Sequence, residues 1–431
     1  MKIQLPDTPY KFVSENSQEC EADTAFVLTT QNKKYLDNAK ENKAHSIINI
    51  EDLAPNFGLN RIKIIGITGT NGKTTTAAAI YSILLDLGHK VAMQGTRGFY
   101  MDDEVVEGKT LTTPSVLNTY KHIYQAVVSG CEYFIMEVSS HAIVQKRIEG
   151  IPFYLKILTN ITQDHLDYHN GLQEYIDVKN SFFDDDGLKL INKDETRAIF
   201  NFKNAHSYGI ENPATYRIIA YTMNEGITAV MQNFQDVETF GTALYGFFNL
   251  YNMTAAVAAV HLLTEHTIPQ IAEVTENFAG VSGRMEKVSE KPLVIVDFAH
   301  TPDGMQQILN SLREKELLVV FGAGGDRDKS KRPIMGRVAS SFAKKIYITS
   351  DNPRHEDPDA IIKDIVEGIQ EKHKIIINTN RREAIAQAIN EQKGDEVILI
   401  LGKGDETHQI IYDQKFPFDD REVVRELLAN K

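Results

Sequence analysis

A glycine-rich turn running into a lysine and three threonines, Gly66-Ile67-Thr68-Gly69-Thr70-Asn71-Gly72-Lys73-Thr74-Thr75-Thr76, constrains this chain more than any other segment. An apolar run at 62–65 precedes it and a helix-like segment at 76–87 follows. Strand, glycine turn, lysine, hydroxyl and helix is the order a phosphate-binding loop requires. The glycines let the backbone curl so that its N–H groups converge on phosphate oxygens. The helix N-terminus adds partial positive charge there. Lys73 is placed to reach terminal phosphates and the Thr74 hydroxyl to ligate Mg²⁺. The widespread form of the pattern has a glycine where this chain has Ile67, so the working core is Gly69, Gly72, Lys73 and Thr74. The loop predicts binding of a nucleoside triphosphate and leaves open what the energy is spent on.

With 431 residues the chain has room for two or three domains. Its 42% hydrophobic and 24% charged content fits a soluble globular protein. A net charge of −13 argues against a general nucleic-acid binder. Residues 1–13 carry no signal-peptide run, no stretch reaches membrane-spanning length, and Cys20 and Cys131 do not form a disulfide framework. The expected location is the cytoplasm, without membrane insertion.

The pattern divides the chain at about residues 58 and 282. Block 1–58 holds one strand-like run (25–29) and one helix-like run (34–43). Block 59–282 opens with the phosphate loop and continues with apolar runs at 133–136 and 153–158 and an alanine-rich helical segment at 249–263. Block 283–431 alternates apolar runs at 293–296, 317–321, 345–348, 374–377 and 397–401 with helical segments. Such alternation predicts an α/β fold of mostly parallel sheets flanked by helices. Four runs of the last block end in dense polar motifs: Asp297-Phe298-Ala299-His300, Gly322-Ala323-Gly324-Gly325-Asp326-Arg327-Asp328, Asp351-Asn352-Pro353-Arg354 and Gly402-Lys403-Gly404-Asp405-Glu406. In open α/β sheets ligands sit outside the carboxyl ends of the strands, so these loops predict a second binding region.

Three further features carry chemistry. The run at 133–136 ends in Glu137-Val138-Ser139-Ser140-His141; an acid at a strand end downstream of a phosphate loop is the hard oxygen ligand Mg²⁺ prefers. The run at 153–158 ends in a stretch bearing Asp164, His165, Asp167 and His169, which suits a metal or phosphate neighbourhood but is individually compatible with structural histidines. Lys179 lies on a helical pattern, and periodicity alone reads it as a surface lysine.

Taken together these residues resemble the Mur ligases, ATP-dependent amino-acid-adding enzymes of peptidoglycan synthesis. The resemblance runs from about residue 60 to the C-terminus. It rests on Gly-Thr-Asn-Gly-Lys-Thr at 69–74, Glu137 to His141, Asp164-His165-Leu166-Asp167, Asn249-Leu250-Tyr251-Asn252, Ser282-Gly283-Arg284-Met285-Glu286 and Asp297 to Asp303, in the family's order. Leu111-Thr112-Thr113-Pro114-Ser115, Gly324 to Lys329 and Asp351 to Arg354 are similar to the branch that adds the third peptide residue.

The resemblance implies a small N-terminal α/β domain (1–58) for the UDP substrate, a central P-loop ATPase-like domain (59–282) and a C-terminal Rossmann-like domain (283–431) for the amino acid. It implies ATP and two Mg²⁺ ions, with UDP-N-acetylmuramoyl-L-alanyl-D-glutamate and meso-2,6-diaminopimelate as substrates, in a monomer. Gly69, Thr70, Asn71, Gly72, Lys73, Thr74, Thr75, Asn249, Asn252, Arg284, Asp297 and His300 would bind the nucleotide. Lys73, Glu137, His165, Lys179 and Arg284 would carry the chemistry. One Mg²⁺ would sit at Thr74 and Glu137, the other at His165 and Lys179, the lysine carbamylated to N6-carboxylysine; an ammonium cannot ligate a cation, whereas a carbamate is an anionic oxygen ligand. Thr112, Thr113, Ser139, Gln145 and Arg147 would contact the UDP-muramoyl dipeptide. Arg327, Asp351, Asn352, Arg354, Gly402 and Glu406 would hold diaminopimelate. In this branch an arginine at the position of Arg354 goes with diaminopimelate: its planar fork matches the far carboxylate that lysine lacks. The competing readings are a lysine-adding ligase, a folylpolyglutamate synthase-like ligase, and a non-catalytic nucleotide-binding regulator. Two departures stand out. The first block is short and lacks the family's Asp-Ser-Arg, and Asp405 stands where a histidine is usual.

Overall fold

The apolar run ahead of the phosphate loop becomes the strand Lys63–Thr68, and its neighbours decide where everything else falls. It lies between Phe153–Leu158 and Tyr133–Glu137, parallel to both, inside an 11-stranded sheet. In a parallel array all carboxyl ends emerge at one edge, so the segments starting at residues 69, 138 and 159 are neighbours in space. The computed structural model describes residues 2–429 apart from 6–7, 103, 110, 165–167, 224–225 and 235.

The parallel part of this sheet also holds Val91–Gly95, Leu188–Asn192 and Ala205–Gly209. Antiparallel strands extend both edges: Gly98–Met101 and Glu104–Glu107 on one side, Ile227–Asn233 and Asp236–Thr242 beyond Tyr216–Thr222 on the other. Two helices apolar on every side cover the sheet. Lys73–Asp86 buries Thr75 to Ile80, Ile83 and Leu84, and Phe247–Leu263 buries an unbroken run from Asn252 to Val260. A helix apolar all round must be enclosed, and small residues let it approach its neighbours closely. The alanines of 255–259 serve that purpose.

Residues 2–49 form a four-stranded sheet, Lys2–Gln4, Phe12–Ser14, Thr24–Leu28 and Ser46–Asn49. Its inner residues Val13, Ala25 and Val27 share one core with Ile64, Phe134 and Met136 of the large sheet and with Tyr120 of the helix Val116–Val128. The last block folds as a six-stranded sheet in the order Glu286–Glu290, Leu293–Asp297, Val397–Leu401, Leu317–Phe321, Ala343–Ile348, Ile375–Ile377. All but the first pairing are parallel. Cores lie on both faces, which is why these strands read as continuous apolar runs. A hairpin, His408–Ile411 with Gln414–Pro417, is added at the end. Among the described residues no helix is long and apolar enough to cross a membrane.

The structure moves several expected boundaries. The helix expected at 76–87 starts at Lys73, because Gly72 (φ 86°) caps it. The helix expected at 34–43 is Leu36–Glu41 after a 3₁₀ turn, and the strand expected from 374 starts at Ile375 after another such turn.

The C-terminal helix Asp420–Ala429 is fastened by a fully buried ion pair. Arg381 Nε and Nη2 each donate to Asp420 at 2.7 Å, and Nη2 also donates to Leu401 O at 3.0 Å. Removing one member of a buried pair strands the other charge. Arg381→Ala is expected to lower unfolding stability by about 3–5 kcal/mol. Arg382→Ala, which breaks the exposed pair with Glu426, should cost under about 1 kcal/mol. Denaturant titration of the two variants checks the contrast.

Candidate active site

The phosphate loop is shaped by two glycines no other residue could replace. A Cβ at Gly69 would lie 1.8 Å from Thr159 Oγ1, and one at Gly72 2.3 Å from Asn252 Oδ1. Lys73 Nζ curls back to donate to the Gly69 and Thr70 carbonyls, both at 2.8 Å. Asn160 supports the loop by accepting from the Asn71 amide through its side chain and from the Thr70 amide through its carbonyl, each at 2.9 Å. Thr70 Oγ1 meets Tyr175 OH at 2.9 Å, and Thr75 is buried in the first helical turn. Asn252 lies behind Gly72 and donates to Asn249 Oδ1 at 2.9 Å; both asparagines are buried.

Glu137, 2% exposed, is the hub of the phosphate end. Its Oε2 accepts from Thr74 Oγ1 at 2.9 Å and Thr96 Oγ1 at 3.2 Å, and its Oε1 from the Thr96 amide at 2.9 Å. A Cβ at Gly95 would sit 2.1 Å from Oε1, so that glycine makes room for the carboxylate. Gly95 and Thr96 escape sequence reading; they sit in an unremarkable strand-to-turn segment. Among the described residues no three His, Cys, Asp or Glu side chains converge as a metal cage. One hydroxyl and one carboxylate nevertheless suit Mg²⁺, which keeps its waters and takes phosphate oxygens.

Lys179 corrects the periodicity reading. It is 1% exposed, not on the surface, and donates to Gly69 O at 2.9 Å. Burial drives its ammonium well below the usual lysine range, and the Lys73 charge adds to the shift. The neutral amine so favoured is the form that takes up CO₂. A carbamate nitrogen retains one N–H, so the Gly69 bond would survive the modification. His165, expected beside it, lies outside the described residues.

The residues expected at the UDP-dipeptide end join this hub. Thr112 Oγ1 meets Thr96 Oγ1 at 3.0 Å. Thr113 Oγ1 donates to Glu137 O at 2.9 Å and accepts from the Ser139 amide at 3.1 Å. Arg147 Nη1 donates to Thr113 O at 2.9 Å. Gln145 stands further out, accepting from Gln31 of the first block and donating to Tyr168 OH, each at 3.0 Å.

Across from the loop, Asp297 is buried and accepts from the Met285 amide at 2.7 Å and the Ala299 amide at 2.6 Å. Burial raises its carboxyl pKa, opposed by the Arg284 charge. The Arg284 guanidinium stacks 4.5 Å from the Phe298 ring, and His300 Nδ1 lies 3.0 Å from Phe298 O. Asp303, to which sequence reading gave no role, bridges the two sheets: its Oδ2 accepts from Asn71 Nδ2 at 3.0 Å and Thr162 Oγ1 at 2.9 Å.

A cleft of about 650 Å³ runs between the sheets, from Thr162 and Asp164 past His300 and Asp303 to Arg327, Asp351, Asn352, Arg354, Gly402 and Glu406. Arg354 holds a left-handed backbone (φ 50°) and donates from Nη1 to Gly325 O at 2.8 Å. Burial lowers its pKa and the Arg327 charge adds to the shift, opposed by Asp351 and Glu406. A Cβ at Gly402 would lie 2.5 Å from Asp351 Oδ2. All six residues expected at the amine end thus meet in one cleft. Asp405 turns the other way and pairs with Lys109 at 3.0 Å and more distantly with Arg97 at 3.9 Å, linking the last block to the central one.

The Mur ligase middle domain matches residues 67–260, and the Mur ligase glutamate ligase domain matches residues 283–404. A UDP-N-acetylmuramoyl-L-alanyl-D-glutamate–2,6-diaminopimelate ligase of Wolinella succinogenes is 54% identical over 429 residues, covering 100% of this chain and 99% of the relative. The chain belongs to the Mur ligase family. The ligase of the same name from Helicobacter pylori is 49% identical over 98% of this Mur ligase and 96% of its own length. A solved structure of a ligase so named superposes with a TM-score of 0.71 at 27% identity, covering 100% of this chain and 97% of the other. A Mycobacterium tuberculosis folylpolyglutamate synthase shares the fold, with a TM-score of 0.67 at 16% identity over 81% of this chain and 90% of the other. Mur ligases form amide bonds at the expense of ATP with Mg²⁺, and this chain is such an ATP-dependent ligase.

The Asp405 contacts generate a prediction about how this Mur ligase holds its two blocks together. Exposed pairs contribute up to about 1 kcal/mol and are screened by salt. Asp405→Asn is expected to lower kcat/KM for the amine substrate by about two- to fivefold at low ionic strength, and to match the wild type near ~1 M salt. Initial rates across a salt series check it.

Proposed function

We propose that this Mur ligase joins meso-2,6-diaminopimelate to UDP-N-acetylmuramoyl-L-alanyl-D-glutamate in peptidoglycan synthesis, working as a cytoplasmic monomer. The observation that carries the amino-acid assignment is the Arg354 guanidinium. It is anchored to Gly325 O and held beside Arg327 in a cleft whose other charged groups include Asp351 and Glu406. Diaminopimelate has two carboxylates and two ammonium groups, and the end of the cleft around Arg354 brings Arg327 and Arg354 together with Asp351 and Glu406. Lysine has one carboxylate fewer and would leave a donor fork unpaired, which is where discrimination arises.

The D-glutamyl γ-carboxylate attacks the terminal phosphorus of ATP, and ADP leaves. The amine of diaminopimelate then attacks the acyl phosphate; the C–O bond breaks, phosphate departs and the nitrogen gives up a proton. A free carboxylate is a poor acylating agent, so phosphorylation supplies the leaving group. Bound Mg²⁺ supplies charge neutralisation between two anionic reactants. The chain's own part is to position and to hold charge. The amides of 72–75 and Lys73 would grip the phosphates, on a loop that Thr70 and Asn71 tie to Asn160, with Arg284 as the cation on the facing block. Asn249, Asn252, Asp297 and His300 hold the adenosine. Thr74 and Glu137 would hold one Mg²⁺, and His165 with carbamylated Lys179 would hold a second. Thr112, Thr113, Ser139, Gln145 and Arg147 orient the dipeptide. The chain divides functionally near residues 58 and 282, so closure of the last block over the central one would keep water from the acyl phosphate.

Phosphate release measured with the UDP-dipeptide and either amino acid tests the assignment. Diaminopimelate is expected to support turnover and lysine to fall at least about a hundredfold below it; equal rates would overturn the diaminopimelate reading. Lys179→Ala should abolish turnover at any bicarbonate concentration. In the wild type, carbamate formation releases a proton, so activity should fall as pH drops and recover in part when bicarbonate is raised at that pH. A wild type indifferent to bicarbonate, or an active Lys179→Ala variant, would remove the carbamate.

A further inference from the structure

Lys403 is a buried charge that the reaction as described does not use. It follows the strand Val397–Leu401, between Gly402 and Gly404, and its side chain is 0% exposed. An ammonium has three protons to donate, and this one has three acceptors: Asn352 Oδ1 at 3.1 Å, Glu406 Oε2 at 2.9 Å and His408 O at 2.7 Å. Two of the three belong to side chains assigned to the amine substrate; the third is the first residue of the terminal hairpin.

The consequences follow from counting donors. Asn352 Oδ1 accepts from Lys403 and from the Ile410 amide at 2.9 Å, so that atom is the carbonyl oxygen and not the amide nitrogen. Asn352 Nδ2 is then committed to donate, and it does so to Glu406 Oε2 at 2.9 Å. Glu406 Oε2 therefore takes two hydrogen bonds from behind, and Oε1 is the oxygen left to serve the cleft that Glu406 lines. The loop carrying Asn352 is also clasped by the hairpin, through Arg354 N to Ile410 O at 3.1 Å and Tyr412 N to Arg354 O at 2.8 Å. A buried ammonium is a costly way to secure a turn, since an apolar side chain would fill the same space without desolvating a charge. Its distinctive capacity is to fix a carboxylate and an amide in one orientation at once.

We infer that Lys403 is a positioning residue for the amine substrate. It presets Glu406, whose Oε1 can accept from the amino acid's ammonium group, and Asn352, whose remaining Nδ2 proton can serve its carboxylate, and governs amino-acid affinity without touching nucleotide or UDP-dipeptide binding. The inference rests on the proposed assignment of this cleft to the amino acid.

The test is steady-state kinetics of full-length Lys403→Met and Lys403→Gln, varying each of the three substrates with the other two saturating. The second variant, which keeps one donor group, serves if the first does not fold. The expected result is a rise of roughly tenfold or more in KM for diaminopimelate, with KM for ATP and for the UDP-dipeptide within about twofold of wild type. Lys403→Arg, which keeps the charge, is expected to recover part of the loss. If whichever variant is soluble shows an unchanged diaminopimelate KM, and loses only thermal stability or kcat, the inference is overturned. Wild-type rates with diaminopimelate and lysine in the same assay separate the two failures. A wild type preferring lysine overturns the substrate assignment, and the Lys403 comparison is then decided on KM for lysine.

Discussion

The geometry of the phosphate end depends on the carboxylate of Glu137. Its two oxygens accept from Thr74 at the start of the phosphate-loop helix and from Thr96 at the end of the neighbouring strand. Its own carbonyl takes the Thr113 hydroxyl, and through Thr113 reaches Ser139 and Arg147. A carboxylate taken out of water has to be hydrogen-bonded on every side, and each bond it takes here comes from a residue that has other work to do. The nucleotide loop and the threonines beside the dipeptide are therefore held in register by one acid, and Gly95 exists as glycine because that acid needs the space.

The phosphate loop and the Arg354 loop sit at the carboxyl edges of two different parallel sheets, and the cleft exists because those edges face each other. Lys63–Thr68 has Glu137 on one side and the 159–164 segment on the other; Val397–Leu401 has the Asp297 segment on one side and the glycine-rich segment from 322 on the other. Tyr245 and Phe248 of the central block pack against the core of the last block, and polar contacts span the rest. Asp303 reaches Asn71 and Thr162, and Asp405 reaches Lys109. Hydrogen bonds and the partly exposed ion pairs of Asp405 with Lys109 and Arg97 hold two edges close without welding them.

Residue pattern exposed some of this and hid the rest for reasons that differ case by case. The parallel strands of the last block were legible because both faces of their sheet are covered, which forces uninterrupted apolar runs such as Leu317–Phe321. The phosphate loop was legible because its glycines are demanded by close approach. The antiparallel edge strands, from Tyr216–Thr222 to Asp236–Thr242 and the hairpin from Gly98 to Glu107, were not read. One face of them is exposed, and their composition is that of ordinary surface. Lys179 was misread because helical periodicity reports which face of a helix is apolar, whereas this lysine is buried against a carbonyl of a loop 110 residues away in sequence.

Lysine burial shows how the two kinds of reading complement each other. Lys179 and Lys403 are both enclosed, yet their surroundings differ in kind. Lys403 has a carboxylate, an amide oxygen and a carbonyl, one acceptor for each proton, so it is fixed from three sides. Lys179 donates to a loop carbonyl, and burial together with the neighbouring cation Lys73 holds its ammonium well below the usual lysine range. The same side chain thus meets three acceptors at one edge and a second cation at the other. No local sequence window contains the number and sign of those neighbours.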